Sequence, residues 1–339
     1  MKDYSNILII KMSSLGDVIH ALPTLYALRQ NLPHAKITWA IHEQFASLLP
    51  GTPWVDEVIV IDKKQLKSPS YLWNLRKELH SRHFDMTLDL QCIAKSAIVS
   101  LLSGSPEKYG YWELREGSQL VNKALVGAHK YDHVIERYLD TVRALGGEVD
   151  GVEFPMPHDH AAEGKIRNRL SELGVTDDYV VVVPGARWIV KEWPLLNFGE
   201  LCIRLCESGK KVVIAGSPDD SEKGQFIENY VKSDNLINLV GQTTMAELIE
   251  LIRHCHIFIS ADTGPLHIAN ALKKPLIALF GTTSPHRTGP YGGSHVHLII
   301  SPTSKATPEQ PLVYDPDCMA QIPVDAVWDV YSEILRKDL

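Results

Sequence analysis

The chain has no CxxC pair and only five cysteines in 339 residues: Cys92, Cys202, Cys206, Cys255 and Cys318. An odd count without metal-type spacing excludes a disulfide framework and reads as reduced, buried thiols. Cys202 and Cys206 lie four apart on an expected helix and share a face, as core residues do. No apolar run approaches the ~20 residues of a membrane span. The run Ile7–Ile10 is too short for a secretory leader, so a cytoplasmic protein is expected. A basic excess is also missing. Lys and Arg number 34 against 41 Asp and Glu, a formal charge of −7, and no nucleic-acid partner is expected. A local basic patch for an anionic substrate is compatible with that balance.

Three motifs are absent. No GxGxxG follows the first strand, which disfavours a nicotinamide dehydrogenase. No GxxxxGK[ST] occurs, which disfavours a Walker-type NTPase. No GxSxG elbow occurs, which disfavours an α/β-hydrolase.

What the chain does have is a short-period alternation of aliphatic strands and helices. Strands are expected at Ile7–Lys11, Lys36–Ile41, Val58–Asp62 and Met86–Leu90. Helical patterns fall near Val18–Asn31, Tyr71–His80, Ala94–Leu102 and His133–Leu145. Near-continuous aliphatic strands between helices indicate a parallel sheet covered on both faces. Gly146 to His160, rich in Gly and Pro, reads as a linker. The His158-Asp159-His160 run in it lacks a visible further ligand cluster, so no metal is expected. The alternation then restarts with strands at Tyr179–Val183, Lys211–Ala215, Ile237–Val240, His256–Ser260 and Pro275–Phe280. Helices are expected at about Pro194–Glu207, Met245–Arg253, Pro265–Leu272 and Val324–Arg336. The length also exceeds what one core usually supports. The expectation is an α/β protein of two Rossmann-like domains, residues 1–155 and 156–322, facing each other across a cleft, with helix 323–339 packing back on the first.

Three segments carry chemistry. In Lys11-Met12-Ser13-Ser14-Leu15-Gly16-Asp17 a strand ends, a small-residue turn follows, and Asp17 opens a helix. Crevices at strand carboxyl ends are ligand sites in open α/β sheets. A carboxylate there can act as a general base or as a helix cap. In Asp262-Thr263-Gly264-Pro265-Leu266-His267 a second strand runs into a helix whose N-terminus favours phosphate, with His267 in its first turn. In Gly185-Ala186-Arg187-Trp188-Ile189-Val190-Lys191 a glycine permits close backbone approach, and two cations suit a diphosphate. Asp315-Pro316-Asp317 is a DxD outside any strand terminus and reads as a surface loop.

Together Lys11–Pro23 (KMSSLGDVIHALP), Lys191–Pro194 (KEWP) and Asp262–His267 (DTGPLH) resemble the ADP-heptose:lipopolysaccharide heptosyltransferases. These are inverting GT-B glycosyltransferases of family 9. The likeness runs from about Asn6 to the final helix. It is nearest the heptosyltransferase I type, with support from Phe84–Ser96, Gly110–Gly117 and His133–Arg137. The resemblance implies ADP-heptose as donor substrate, no cofactor or metal, and the Kdo-bearing inner core of lipopolysaccharide as acceptor. It also implies work at the inner face of the cytoplasmic membrane. Asp17 would be the base and Lys191 the partner of the leaving diphosphate. Donor contacts would come from Ser14, Gly16, Gly185, Ala186, Arg187, Asp262, Thr263, Gly264 and His267. Asp219 or Asp220 would meet the ribose, and Gln242 or Thr243 the adenine. Arg115, His133, Lys63 and Lys64 would face the anionic acceptor. The lysines stand where a dense arginine cluster is usual, and lysine is the weaker bidentate partner. Competing readings are a heptosyltransferase for a heptosylated core or a protein, a nucleotide-sugar epimerase, and a non-catalytic sugar-binding protein.

Overall fold

A computed structural model describes residues 1–176 and 178–337. The chain forms two compact units, Met1–Pro157 and His158–Leu339, so the division falls two residues beyond the expected boundary.

The first unit runs β1 (Asn6–Ile10), α1 (Leu15–Asn31), β2 (Lys36–Ile41), β3 (Glu57–Val60), α2 (Pro69–His80), β4 (Met86–Asp89), α3 (Ala94–Leu102), β5 (Glu107–Tyr111), β6 (Lys123–Leu125) and α4 (Val134–Ala144). Its sheet is wholly parallel, in the order β3-β2-β1-β4-β5-β6. Central strands are aliphatic because helices cover both faces. Leu8 and Ile10 join Ala40, Leu75, Leu79 and Val99 in one core.

The second unit runs α5 (His160–Glu172), β7 (Tyr179–Val183), α6 (Leu195–Glu207), β8 (Lys211–Ile214), α7 (Ser221–Val231), β9 (Leu236–Asn238), α8 (Met245–His254), β10 (Ile257–Ala261), α9 (Gly264–Ala271), β11 (Leu276–Phe280), α10 (Pro285–Thr288), β12 (Val296–Ile300) and α11 (Val324–Lys337). The sheet order is β12-β11-β10-β7-β8-β9, again parallel. Counting strands within each unit, both sheets read 3-2-1-4-5-6. In that order the chain leaves the first and fourth strands toward opposite sides, opening a crevice at their carboxyl ends. All three chemistry-bearing segments fall on those ends.

Two expectations are corrected. The final helix, expected to pack back on the first unit, is built into the core of the second. Val324, Val327, Tyr331 and Ile334 of α11 sit in the second unit's own core with Phe198, Leu201 and Leu205 of α6, so its apolar stripe is already covered there. The linker also ends earlier than expected. Asp159 accepts from the N–H groups of Ala161 and Ala162 at 2.9 and 3.0 Å, and this cap starts α5 at His160. All five cysteines are free and buried, as their spacing indicated. Among the described residues no helix is long and apolar enough to cross a membrane.

Candidate active site

In the first unit, β1 and β4 pair so that Ile10 faces Asp89 in register. The chain leaving β1 is held from the β4 side: Gln91 Oε1 accepts from the N–H groups of Met12 and Ser13 at 3.0 and 3.1 Å. Ser14 caps α1, and half-buried Asp17 stands in its first turn. Asp17 Oδ2 accepts from the Ser14 N–H at 3.0 Å and from the Ser14 hydroxyl at 2.6 Å. The carboxylate therefore caps the helix and is held in one orientation at the crevice. A cap and a base are compatible roles for one side chain.

Beneath Asp17 lies a buried polar floor. Lys11 Nζ donates to the Leu90 carbonyl at 3.0 Å and to the Tyr138 hydroxyl at 2.8 Å. Asp89 has no exposed surface. It accepts from the N–H groups of Gln91 and Cys92, the Ser96 hydroxyl and the Asn122 amide, all at 2.8–2.9 Å. Burial pushes its carboxyl up to about 6, even though those donors and the Lys11 charge favour the anion. Burial also holds the Tyr138 phenol neutral, and the Asp17 charge adds to that effect.

The expected acceptor residues are only partly gathered. Arg115 follows β5 and is exposed. His133 is a buried N-cap of α4, its Nδ1 accepting from the Ile135 N–H at 3.3 Å, and it stands edge-on to His20 at 5.6 Å. Lys63 and Lys64 are exposed and follow β3 at the far edge of the sheet. That edge lies two strands from β1, so the fold does not bring these lysines to Arg115.

The second unit repeats the geometry with different side chains. The loop after β7 is anchored by buried Trp193, whose indole donates to the Ile322 carbonyl at 2.9 Å. A 3₁₀ turn, Ile189–Lys191, then presents Lys191. Lys191 Nζ donates to Asp262 Oδ2 at 2.7 Å, just past β10. The Thr283 hydroxyl, after β11, donates to the same oxygen at 2.7 Å, and Thr282 ties the Val190 carbonyl at 3.1 Å. His267 Nε2 lies 4.0 Å from Asp262 Oδ1. Thr263 is the N-cap of α9. A cation, an oriented carboxylate and a helix N-terminus thus meet at one point, a suitable cradle for a diphosphate.

Gly185 sits against the β8 loop, where a Cβ would meet Asp220 Oδ1 at 2.1 Å. Asp220 accepts from the Ser217 hydroxyl at 2.6 Å and from Lys223 at 2.9 Å. Burial pushes its carboxyl up, and these two donors outweigh burial, leaving it below its usual value. Lys223 also pairs with Glu192, whose other donor is the Ala186 N–H at 3.2 Å. Arg187 and Asp219 are exposed, whereas Ala186, Thr243 and Thr263 are half-buried. Gln242 is drawn elsewhere: its amide pairs with Arg169 of α5 and donates to the Asn238 carbonyl at 3.0 Å.

Sequence reasoning missed Asp89, Gln91, Glu192, Lys223 and Thr283. The hydroxyl run Thr282-Thr283-Ser284 directly after an aliphatic strand was a usable signal for the last. The expectation of no further metal-ligand cluster beside His158 and His160 is also corrected. Glu163, one turn into α5, brings its carboxylate to both rings.

The model of glycosyltransferase family 9 (heptosyltransferase) matches residues 72–312. Lipopolysaccharide heptosyltransferase 1 of Pseudomonas aeruginosa is 28% identical over 305 residues, 86% of this chain and 83% of that protein. Lipopolysaccharide heptosyltransferase 3 of Escherichia coli K12 is 27% identical over 338 residues, 95% of this chain and 96% of that protein. These near-equal values do not single out the heptosyltransferase I type. The solved structure of E. coli ADP-heptose lps heptosyltransferase II superposes with a TM-score of 0.80 at 24% identity, covering 98% of this chain and 99% of that one. The two parallel Rossmann-like sheets are accordingly the GT-B fold, and the chain is a glycosyltransferase belonging to glycosyltransferase family 9, the heptosyltransferases.

Proposed function

We propose that this chain moves L-glycero-D-manno-heptose from ADP-heptose to the Kdo-bearing inner core of lipopolysaccharide, with inversion at the anomeric carbon. The observation that carries the donor half is the Lys191–Asp262–Thr283 cluster at the mouth of α9. The names of the relatives support the heptose and the lipopolysaccharide.

In the proposed reaction an acceptor hydroxyl oxygen attacks the anomeric carbon. The bond from that carbon to the β-phosphate oxygen breaks, and ADP leaves with the electron pair. Asp17 takes the hydroxyl proton. Preorganised cations and N–H dipoles stabilise the charge developing on the diphosphate. Lys191 and the turn Thr263-Gly264 supply these, with Arg187 on the same loop, so the chemistry requires no metal. Asp262 holds Lys191 in place, and His267 completes that wall. Ser14 and Gly16 shape the turn that presents Asp17. Asp220, with Lys223 beside it, faces the ribose, and Thr243 lies on the adenine side. Arg115 and His133 receive the anionic acceptor. Lys63 and Lys64 act at longer range, toward the acceptor or the membrane surface that carries it. A heptosylated core or a protein is the alternative acceptor.

The test is ADP release from ADP-heptose with and without a deacylated Kdo-bearing lipid A acceptor, for wild type and Asp17→Asn. Acceptor-dependent release, slowed by about 10²–10⁴-fold in the variant, is expected for loss of a general base. Asparagine preserves the cap, so an unchanged rate would leave Asp17 a cap alone. Donor binding without release would move the search to the other acceptors.

A further inference from the structure

We infer that His158, His160 and Glu163 form a binding site for one borderline divalent metal ion of the zinc class, at the chain's entry into the second unit. The three ligand atoms lie within 4.8 Å of one another. His158 Nε2 is 3.0 Å from Glu163 Oε2, and His160 Nδ1 is 3.4 Å from the same oxygen. Zinc–nitrogen and zinc–oxygen bonds near 2.0–2.2 Å at tetrahedral angles put ligand atoms about 3.4 Å apart. The triad therefore stands close to a zinc coordination edge, with a free side for water. Imidazole and carboxylate without thiolate suit zinc, nickel or copper rather than calcium or magnesium.

Local folding explains the convergence. Asp159 turns inward to cap α5, so the rings on either side of it project together, 4.3 Å between centroids. Glu163, in the first turn of the helix, meets both.

Beside the other oxygen of Glu163, His254 Nε2 at the end of α8 stands 2.9 Å away, a close charge neighbour without hydrogen-bond alignment. Its Nδ1 meets Arg167 at 3.2 Å. Buried Glu250 lies 3.7 Å from His158 Nε2 and adds negative charge. The positive end of α5 opposes a cation, but Asp159 already satisfies its leading N–H groups. Arg253 pairs with Glu250, and Arg167 stands 3.5 Å from Glu163 Oε1. Half-exposed Arg167 is the cation that the metal displaces.

An ion here ties the segment entering the second unit to α5. His254 closes α8 shortly before β10 begins at Ile257, so the triad adjoins the amino end of β10, opposite the strand end that leads to Asp262. The ion is structural, and the transfer chemistry proposed above does not use it.

The experiment is calorimetric titration of zinc into the untagged, chelator-stripped full chain at pH 7.5, paired with thermal melting. One equivalent binds, and the melting temperature rises. His160→Ala, at a largely exposed position that leaves the fold intact, weakens binding at least tenfold and abolishes the melting shift. Arg167→Ala, which removes the cation 3.5 Å from Glu163 Oε1, tightens binding. No saturable uptake overturns the site. Uptake undiminished in both His158→Ala and His160→Ala, as from zinc on a cysteine thiol, overturns it equally.

Discussion

Asp89 and Asp262 both stand at the carboxyl end of the fourth strand of their units, Asp89 paired in register with Ile10 and Asp262 two residues beyond Ser260, which pairs with Val183. Each has a lysine near it from the loop after its unit's first strand. Lys11 and Asp89 are sealed in, at 4% and 0% exposure. The Lys191 side chain keeps 21% of its surface, and its ammonium grips Asp262 directly. The same crevice is thus a floor in one unit and a cradle in the other. Topology puts polar side chains at the switch point, and depth decides whether they build structure or meet a ligand. A buried ion must be satisfied by protein donors, which leaves Asp89 none to offer a substrate. A half-exposed ammonium can exchange its partner for a phosphate.

The largest expected effect separates floor from cradle. Lys191→Met lowers kcat for ADP release by about 10²–10³-fold, the loss typical of one preorganised transition-state donor, and leaves buried Asp262 with the Thr283 hydroxyl in place of its cation. Lys11→Met strands the Leu90 carbonyl and the Tyr138 hydroxyl. It costs about 1–3 kcal/mol of stability for unsatisfied buried groups, read by chemical denaturation. If Lys11→Met left stability unchanged, the two lysines would not differ as described.

The second test uses pH. The Asp89 carboxyl is pushed up to about 6 by burial, so the native state binds this proton more tightly than the unfolded chain. Its contribution is full below the unfolded value, about 3.9, and is lost as pH rises through 6. Asp220 is held below its usual value. Its contribution is present above the unfolded value and is lost on acidification. The two units thus carry linkages of opposite sign. Between pH 4 and 6.5 the stability of wild type relative to Asp89→Asn falls by about 2–3 kcal/mol, at 1.36 kcal/mol per pKa unit. Denaturant midpoints measured across that range check it, and a flat difference would contradict the buried-carboxylate account.

How much of this was legible in the sequence follows from range. Val180–Val183 and Leu276–Phe280 announce themselves as buried parallel strands because every residue is apolar. Asp17 and Asp262 were legible because each stands at a strand-to-helix turn only a few residues long, and Lys191 because it shares the loop after β7 with a second cation, Arg187. Three-residue β6 (Lys123–Leu125) carries no periodicity. The polar α7, with Gly224 inside it, offered no helical signal strong enough to read, so Lys223 went unseen. Thr283 reaches Asp262 from 21 residues away, a contact set by strand order rather than by spacing. Linker composition around Gly151, Pro155 and Pro157 hid the start of α5 and, with it, Glu163.

A third prediction tests how tightly the cradle is built. Gly185→Ala places a methyl group 2.1 Å from Asp220 Oδ1, so Asp220 must leave Ser217 and Lys223. The overpacking costs about 1–3 kcal/mol and raises the KM for ADP-heptose. Gly185→Ala combined with Asp220→Ala relieves the clash and recovers most of the stability without restoring donor affinity. Recovery of both would make the Asp220 contact a matter of packing alone.

The smallest effect belongs to the edge of the first unit. Lys63 and Lys64 lie after β3, two strands from the crevice, and both are exposed. Rim charges of this kind steer an anionic partner and lose their influence with salt, because the screening length shortens to about 8 Å at physiological ionic strength. The double variant Lys63→Ala and Lys64→Ala should raise the acceptor KM a few-fold at low ionic strength, consistent with rim-charge behaviour. It should leave kcat unchanged and converge on wild type in high salt. A salt-independent rise would instead mean direct contact with the bound acceptor. The acceptor would then extend across β2 to the sheet's edge, and the floor around Asp89 would underlie a longer binding surface than Asp17, Arg115 and His133 define.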